Sequence, residues 1–160
     1  MTLTREERER LIQQYAGGPA RLAAALARVP AAARQWRPAP GEWSAHEMII
    51  HCADSETNAA GRIRSLIAEP APLIAGDDQA AWAIVLDYHA RPLEPALAAV
   101  RANTVPLLRS LPDTAWERAG RHTESGRYSA EDWLRIYGAH LEDHALQIEA
   151  NLAAWTSRGA

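Results

Sequence analysis

The chain has 160 residues, of which 48% are hydrophobic, and its formal net charge is −3. This length fits one domain over residues 1–160 with a sizeable core. The 17 basic residues form no cluster, which argues against a nucleic-acid partner.

Three features favour a soluble cytoplasmic protein. The single cysteine, Cys52, allows no internal disulfide and fits a reducing compartment. Residues 2–10 are highly charged, unlike a signal peptide, and no apolar run approaches membrane-spanning length. We therefore expect no membrane contact, and we expect Cys52 to be a small core residue rather than a nucleophile.

Strong helix formers dominate, and no long Val/Ile/Thr alternation appears, so the predicted fold class is all-α. The first helix begins with a capping-box pattern, Thr4 followed by Glu7. Residues 17–19, Gly-Gly-Pro, predict a break, after which the helix resumes at Arg21 and ends at Pro30.

A second capping box, Ser44 with Glu47, predicts a helix that runs to about Glu69, before Pro70. A short helix capped by Asp77 and Asp78 follows. A third long helix is expected from near Pro92 to Ser110, with a kink or an early end at Pro106. Its predicted core face comprises Leu93, Leu97, Val100, Leu107 and Leu108.

A polar loop is expected over residues 121–126, and Ser129 with Asp132 then forms a third capping pattern. The last helix runs from there to Trp155. Four long helices without an internal repeat predict a four-helix bundle.

The last helix carries His140 and His144, which lie one turn apart and only about 40° apart around the axis. Both rings can lean toward one point. His51, two turns into the second long helix, is the third candidate ligand. Three imidazoles leave a divalent ion with open positions, as in catalytic zinc sites. An isolated pair with this spacing is more often a surface or packing feature without metal.

The acidic residues near the candidate histidine ligands limit the reactions that a metal ion could catalyse there. Glu142 points roughly 200° away from His140, so the zinc-peptidase pattern H-E-x-x-H is absent. Asp54 and Asp143 are candidate acceptors for ligand N–H groups, although solvated surface carboxylates are the plainer interpretation. Either of them, or His122 in the polar loop, is a candidate proton acceptor.

Two histidines lack such support. His46 is expected to be exposed near its helix start, and His89 to lie in a turn.

Several motifs in this order resemble the DinB/YfiT-like superfamily. They are PAPGEWS ending at Ser44, HCADSETN beginning at His51 and YGAHLEDHALQI beginning at Tyr137. DDQAAW at residues 77–82 and ESG at residues 124–126 also resemble the YfiT-like branch. That branch often has histidine at the positions of Ile50, Glu56 and Asp143.

The resemblance implies a four-helix bundle in which His51, His140 and His144 hold zinc or nickel. Relatives include S-transferases and isomerases that use low-molecular-weight thiols, and proteins named as metal-dependent hydrolases. Many members are homodimers, so we expect a homodimer that acts on a small-molecule substrate.

Three functions follow as hypotheses. The first is an S-transferase in which the ion deprotonates a low-molecular-weight thiol, because a metal-bound thiol needs no protein base. The alternative is a hydrolase that uses metal-bound hydroxide. The third is a non-catalytic metal-binding stress-response protein, recognisable by an ion without an open coordination position.

Overall fold

A computed structural model describes residues 2–93 and 96–158 of the chain. Four long helices form the bundle, and a short helix, α3, lies between the second and third of them. In chain order they are α1 Arg5–Ala27, α2 Ala45–Ala68, α3 Gln79–Val85, α4 Ala96–Ser110 and α5 Ala130–Ser157. Helix α1 packs along α5 and α4, and α2 packs against α4 and α5. The predicted four-helix bundle is confirmed.

The three predicted capping boxes are present. Thr4, Ser44 and Ser129 each accept a hydrogen bond from a backbone amide three residues on, and the acidic side chain there reaches back to the cap. Each capping interaction contributes about 0.5–2 kcal/mol, and the local pattern fixes the helix start. Asp78 caps α3 by accepting a hydrogen bond from the amide of Ala81 at 3.0 Å, without a reciprocal side chain.

Helix α1 is continuous, so the predicted break at residues 17–19 is wrong. Pro19 lacks an N–H, which leaves the carbonyl of Tyr15 without its helical donor. Arg101 on α4 supplies the missing hydrogen bond, with its Nη1 2.5 Å from that oxygen. A side chain at Gly18 would come within 2.6 Å of this Nη1 atom. The Gly-Pro sequence thus makes room for an arginine instead of ending the helix.

Helix α4 also differs from the prediction. Pro92 and Leu93 precede the described helix, and residues 94 and 95 lie outside the described part. Pro106 lies within the helix, which continues to Ser110. The predicted Leu97 side chain is likewise not described, while Leu93, Val100 and Leu107 are only partly buried. Among the side chains of this helix that are described, the buried ones are Arg101, Thr104 and Leu108.

A small three-stranded sheet, absent from the all-α prediction, covers one part of the bundle. Strands β2 Ala119–His122 and β3 Gly126–Ser129 form an antiparallel hairpin, and β1 Leu73–Ile74 runs parallel to β2. Gly126, at a φ of +81°, takes the positive φ that the turn requires. The predicted polar loop at residues 121–126 is therefore the end of a hairpin that leads into α5.

The core has two parts along the bundle. One surrounds Trp133, whose indole N–H donates to the carbonyl of Ala59 at 2.9 Å. The other surrounds Leu141 and includes Cys52, which is fully buried as predicted. None of the helices in the described residues is long and apolar enough to cross a membrane.

Candidate metal centre

The structure brings together the three histidines that the sequence predicts as ligands. His51 comes from α2, and His140 and His144 come from consecutive turns of α5. Each offers one ring nitrogen, and these three atoms lie within 4.8 Å of one another. Among the described residues they form the only such cluster of three or more histidine, cysteine or acidic side chains.

The environment keeps two of these rings neutral. Burial, followed by the nearby rings of His144 and His140, lowers the pKa of His51 to about 3. Burial and then His140 lower the pKa of His144 to about 4. Neutral imidazole is the form that binds a metal ion, so both side chains are ready to act as ligands at neutral pH.

Hydrogen bonds fix the tautomers of the two α5 histidines. Nδ1 of His140 lies 3.2 Å from Oε1 of Glu56, and Nδ1 of His144 lies 2.9 Å from Oε1 of Gln147. An ionised carboxylate and an amide oxygen only accept hydrogen bonds, so each Nδ1 carries the proton. The Nε2 lone pair of each ring is then free for a metal ion.

Glu56 belongs to this site, although the sequence marked it only as a position where the YfiT-like branch often has histidine and not as a partner of a ligand. Its side chain is fully buried and pairs with Arg101, whose side chain is 1% exposed, at 2.5 and 2.9 Å. Burial would raise the pKa of Glu56, but the hydrogen bond with His140 and the guanidinium of Arg101 outweigh burial and lower it. Glu56 is therefore a carboxylate at neutral pH.

A signal for Glu56 was available in the sequence. It interrupts an otherwise apolar stripe of α2 at helical spacing, formed by Cys52, Ala59, Ile63 and Leu66. A lone acidic residue on such a stripe predicts a buried partner.

Asp54 and Asp143 were candidate acceptors for the N–H groups of the ligand rings, with solvated surface carboxylates as the plainer interpretation, and neither accepts such a hydrogen bond among the described contacts. Asp54 instead forms a bidentate ion pair with Arg91, whose Nη1 and Nη2 lie 2.7 and 2.9 Å from the two carboxylate oxygens. Asp143 is exposed on α5. The acceptors are Glu56 and Gln147. As proton acceptors in a reaction, Asp54 and Asp143 remain predictions.

The other histidines lie outside the cluster of three. His122 is in the hairpin, where its ring packs on Tyr128 and its Nδ1 accepts from the amides of residues 124 and 125. His46 is partly buried rather than exposed, because its Nε2 contacts the backbone oxygen of Arg91 at 2.8 Å. His89 is exposed after α3. A substrate role for His122 remains a prediction.

Aromatic rings surround the three histidines. The ring centroids of Trp43 and His51 are 4.7 Å apart, and those of Tyr137 and His140 are 5.7 Å apart. Next to the site is a cavity of about 370 Å³, lined by residues that include Trp43 and Gln147. Trp43 and Gln147 contact His51 and His144, but none of the three histidines lines this cavity.

Comparison with known proteins identifies the family. The model of the DinB superfamily matches residues 14–148, which is most of the chain. This chain belongs to the DinB superfamily. The resemblance noted from its motifs is thereby confirmed.

Similar proteins found by the comparison are named as putative metal-dependent hydrolases. A protein named "Putative metal-dependent hydrolase OB0782", from Oceanobacillus iheyensis, is 36% identical over 111 residues, which cover 68% of this chain. The match spans 64% of the length of that relative. The similarly named YfiT from Bacillus subtilis is 24% identical over 151 residues, or 92% of this chain and 85% of the relative.

A solved structure shares the fold. It is that of YfiT from Bacillus subtilis, described as a probable metal-dependent hydrolase with an unusual four-helix bundle topology. Its TM-score to this chain is 0.84 at 23% sequence identity, covering 98% of this chain and 90% of that one. The chain therefore has the fold of this solved structure.

The residues present fit a divalent metal ion. Three imidazole nitrogens converge, and two of the rings form a hydrogen bond through Nδ1 to an oxygen acceptor, as metal-ligating histidines usually do. Imidazole ligands suit zinc and nickel among other ions.

Proposed function

We propose that this protein is a metal-dependent hydrolase whose ion is held by His51, His140 and His144. The observation that carries the proposal is the convergence of three histidine nitrogens within 4.8 Å of one another. The names of the relatives agree with hydrolysis and give no support to thiol transfer. Zinc and nickel are the ions we propose for the site.

A divalent ion held by three histidines supplies Lewis acidity and lowers the pKa of a bound water. The chain's own residues do the rest. Glu56 and Gln147 hold two ligand rings in place through their Nδ1 protons. The indole of Trp43 packs beside the ring of His51, which is buried.

Of the three candidate proton acceptors, Asp54 and Asp143 each have a charge that acts on a ligand ring, and Asp54 is the less exposed of the two. It follows His51 by one turn of α2, and its charge acts on that ring. The bidentate contact from Arg91 fixes its orientation. Asp143 is exposed, and the ring of His122 is engaged within the hairpin.

The test is hydrolysis with and without added thiol. Metal-free protein is reconstituted with zinc or nickel and assayed against nitrophenyl esters, phosphodiesters and amides. We expect metal-dependent hydrolysis without thiol, and a loss of at least about 100-fold in the His51→Ala variant. His89→Ala, which alters an exposed histidine outside the cluster, serves as the control and should retain activity.

Two results would contradict hydrolysis. Consumption of an electrophile only when glutathione, bacillithiol or mycothiol is present would favour the S-transferase hypothesis. A bound ion that exchanges no water would favour a non-catalytic metal-binding protein.

A further inference from the structure

We propose that Glu56, anchored by Arg101, is a positioning residue that orients His140 for metal binding. The inference rests on the metal site proposed above and concerns residues that do not themselves bind the ion. Glu56 lies on α2 and Arg101 on α4, so the pair links two helices of the bundle to a ligand on a third.

The first step is the contact with the ligand ring. Oε1 of Glu56 accepts a hydrogen bond from Nδ1 of His140 at 3.2 Å, and the carboxylate is fully buried. No water competes for a carboxylate in such a position. The ring therefore keeps one tautomer and one orientation, in which Nδ1 is engaged and Nε2 is the nitrogen left to bind a metal ion.

The second step is the anchoring of the carboxylate. Arg101 binds both oxygens of Glu56, at 2.5 and 2.9 Å. It also donates to the carbonyl of Tyr15, which Pro19 leaves without a helical donor, and to the carbonyl of Tyr137 at 3.0 Å. The guanidinium is thereby held from α1, α2 and α5 together, which leaves Glu56 little freedom to move.

The third step concerns why the pair is present. A buried ion pair gains little stability over well-packed apolar side chains of similar size, because both charges lose their hydration. Arg101 also has a structural use, because it donates to the carbonyl of Tyr15, but the stability of the ion pair is a weak reason for a glutamate at position 56. Orientation of His140 is a use that apolar residues could not provide.

The expected consequence follows from metal sites in general. Loss of such an acceptor lowers metal affinity by about 10–100-fold, because the ring is freer and its free nitrogen less basic. The carboxylate charge and the oxygen acceptor both contribute. Glu56→Gln removes the charge, and the double variant Glu56→Leu/Arg101→Met removes the acceptor as well.

The experiment is a competitive zinc titration of metal-free protein against a chromophoric chelator. We expect Glu56→Gln to bind zinc about 10-fold more weakly than the wild type, and the double variant up to about 100-fold more weakly. Visible absorption of the cobalt-loaded proteins gives a second readout, in which the ligand-field bands shift in both variants.

Glu131→Gln is the matched control. Glu131 is also a buried carboxylate paired with an arginine, Arg8, but it lies more than two turns before His140 on α5. Its replacement should lower thermal stability and leave zinc affinity unchanged. A general loss of stability is thereby separated from a loss of ligand orientation.

Three outcomes overturn the proposal. The first is zinc affinity within about twofold of wild type in a folded Glu56→Gln or double variant. The second is an equal loss of affinity in the control. The third is a wild-type protein that binds no zinc, which would also remove the metal site itself. If Glu56→Gln does not fold, the double variant, which leaves no unpaired charge, provides the test.

Discussion

The carboxylate of Glu47 is held at the first turn of α2, where it accepts from the backbone and hydroxyl of Ser44 and pairs with Arg37. Burial would raise its pKa, but the ion pair and these hydrogen bonds outweigh burial and lower it to about 2, from 4.5. A lowered pKa means that the folded state gains stability above the unfolded value and loses it as the pH falls toward 2.

We therefore predict that Glu47→Gln lowers the free energy of unfolding by about 1–3 kcal/mol at pH 7. The difference from wild type should shrink as the pH falls from 4.5 toward 2, as measured by urea unfolding over that range. Glu42→Gln, an exposed neighbour, is the control. A difference that stays constant over this range would show that the charge of Glu47 is not the cause.

The position of a single side chain could be predicted from the sequence where it depends only on neighbouring residues in the chain. The spacing of His140 and His144 places both rings on one face of a helix whatever the rest of the chain does. The partnership of Glu56 with Arg101 depends on how α2 and α4 pack, which no local pattern states. Glu56 and Arg101 nevertheless each lie on a largely buried stripe of their helix. A single charged residue on such a stripe indicates in the sequence that a buried ion pair is present.

At the scale of the helix, the adjacent glycines of α1 have opposite roles. A side chain at Gly17 would meet nothing within 4 Å, whereas one at Gly18 would meet Arg101 and Leu141 at 2.6 and 3.0 Å. Gly17 is exposed, so its cost to the helix is the ordinary one of backbone freedom. Gly18 is a site of close approach between helices.

Alanine substitution separates the two roles. Gly17→Ala should raise the free energy of unfolding by up to about 1 kcal/mol, because alanine favours the helix. Gly18→Ala should lower it by about 1–3 kcal/mol, because the new methyl group displaces Arg101 from the carbonyl of Tyr15. Thermal and urea unfolding measure both. Equal effects of the two substitutions would refute this description of α1.

Helix starts were predicted well and helix interruptions poorly. A capping box is a local arrangement of four residues, so its outcome does not depend on packing. A proline inside a helix is tolerated when another group satisfies the carbonyl it frees, and Arg101 does this from a distant part of the sequence. The sheet was missed because strands of two to four residues carry too little alternation to recognise.

At the scale of the whole molecule, helical periodicity and the count of long helices sufficed to predict the bundle. The packing of α2 against α5 then determines whether His51 faces His140 and His144. The order of the motifs along the chain indicated this packing through the family resemblance. The structure shows that α2 packs against α5 and that the three histidines lie together. The homodimer and the cytoplasmic location stay predictions.

The central claim is that the three histidines bind one divalent ion. Its most direct test is elemental analysis of protein purified without a nickel column, beside the His144→Ala variant. We predict about one zinc or nickel ion per chain in the wild type and little in the variant, since two histidines alone make a weak site. No metal in the wild type, even after reconstitution, would contradict the claim.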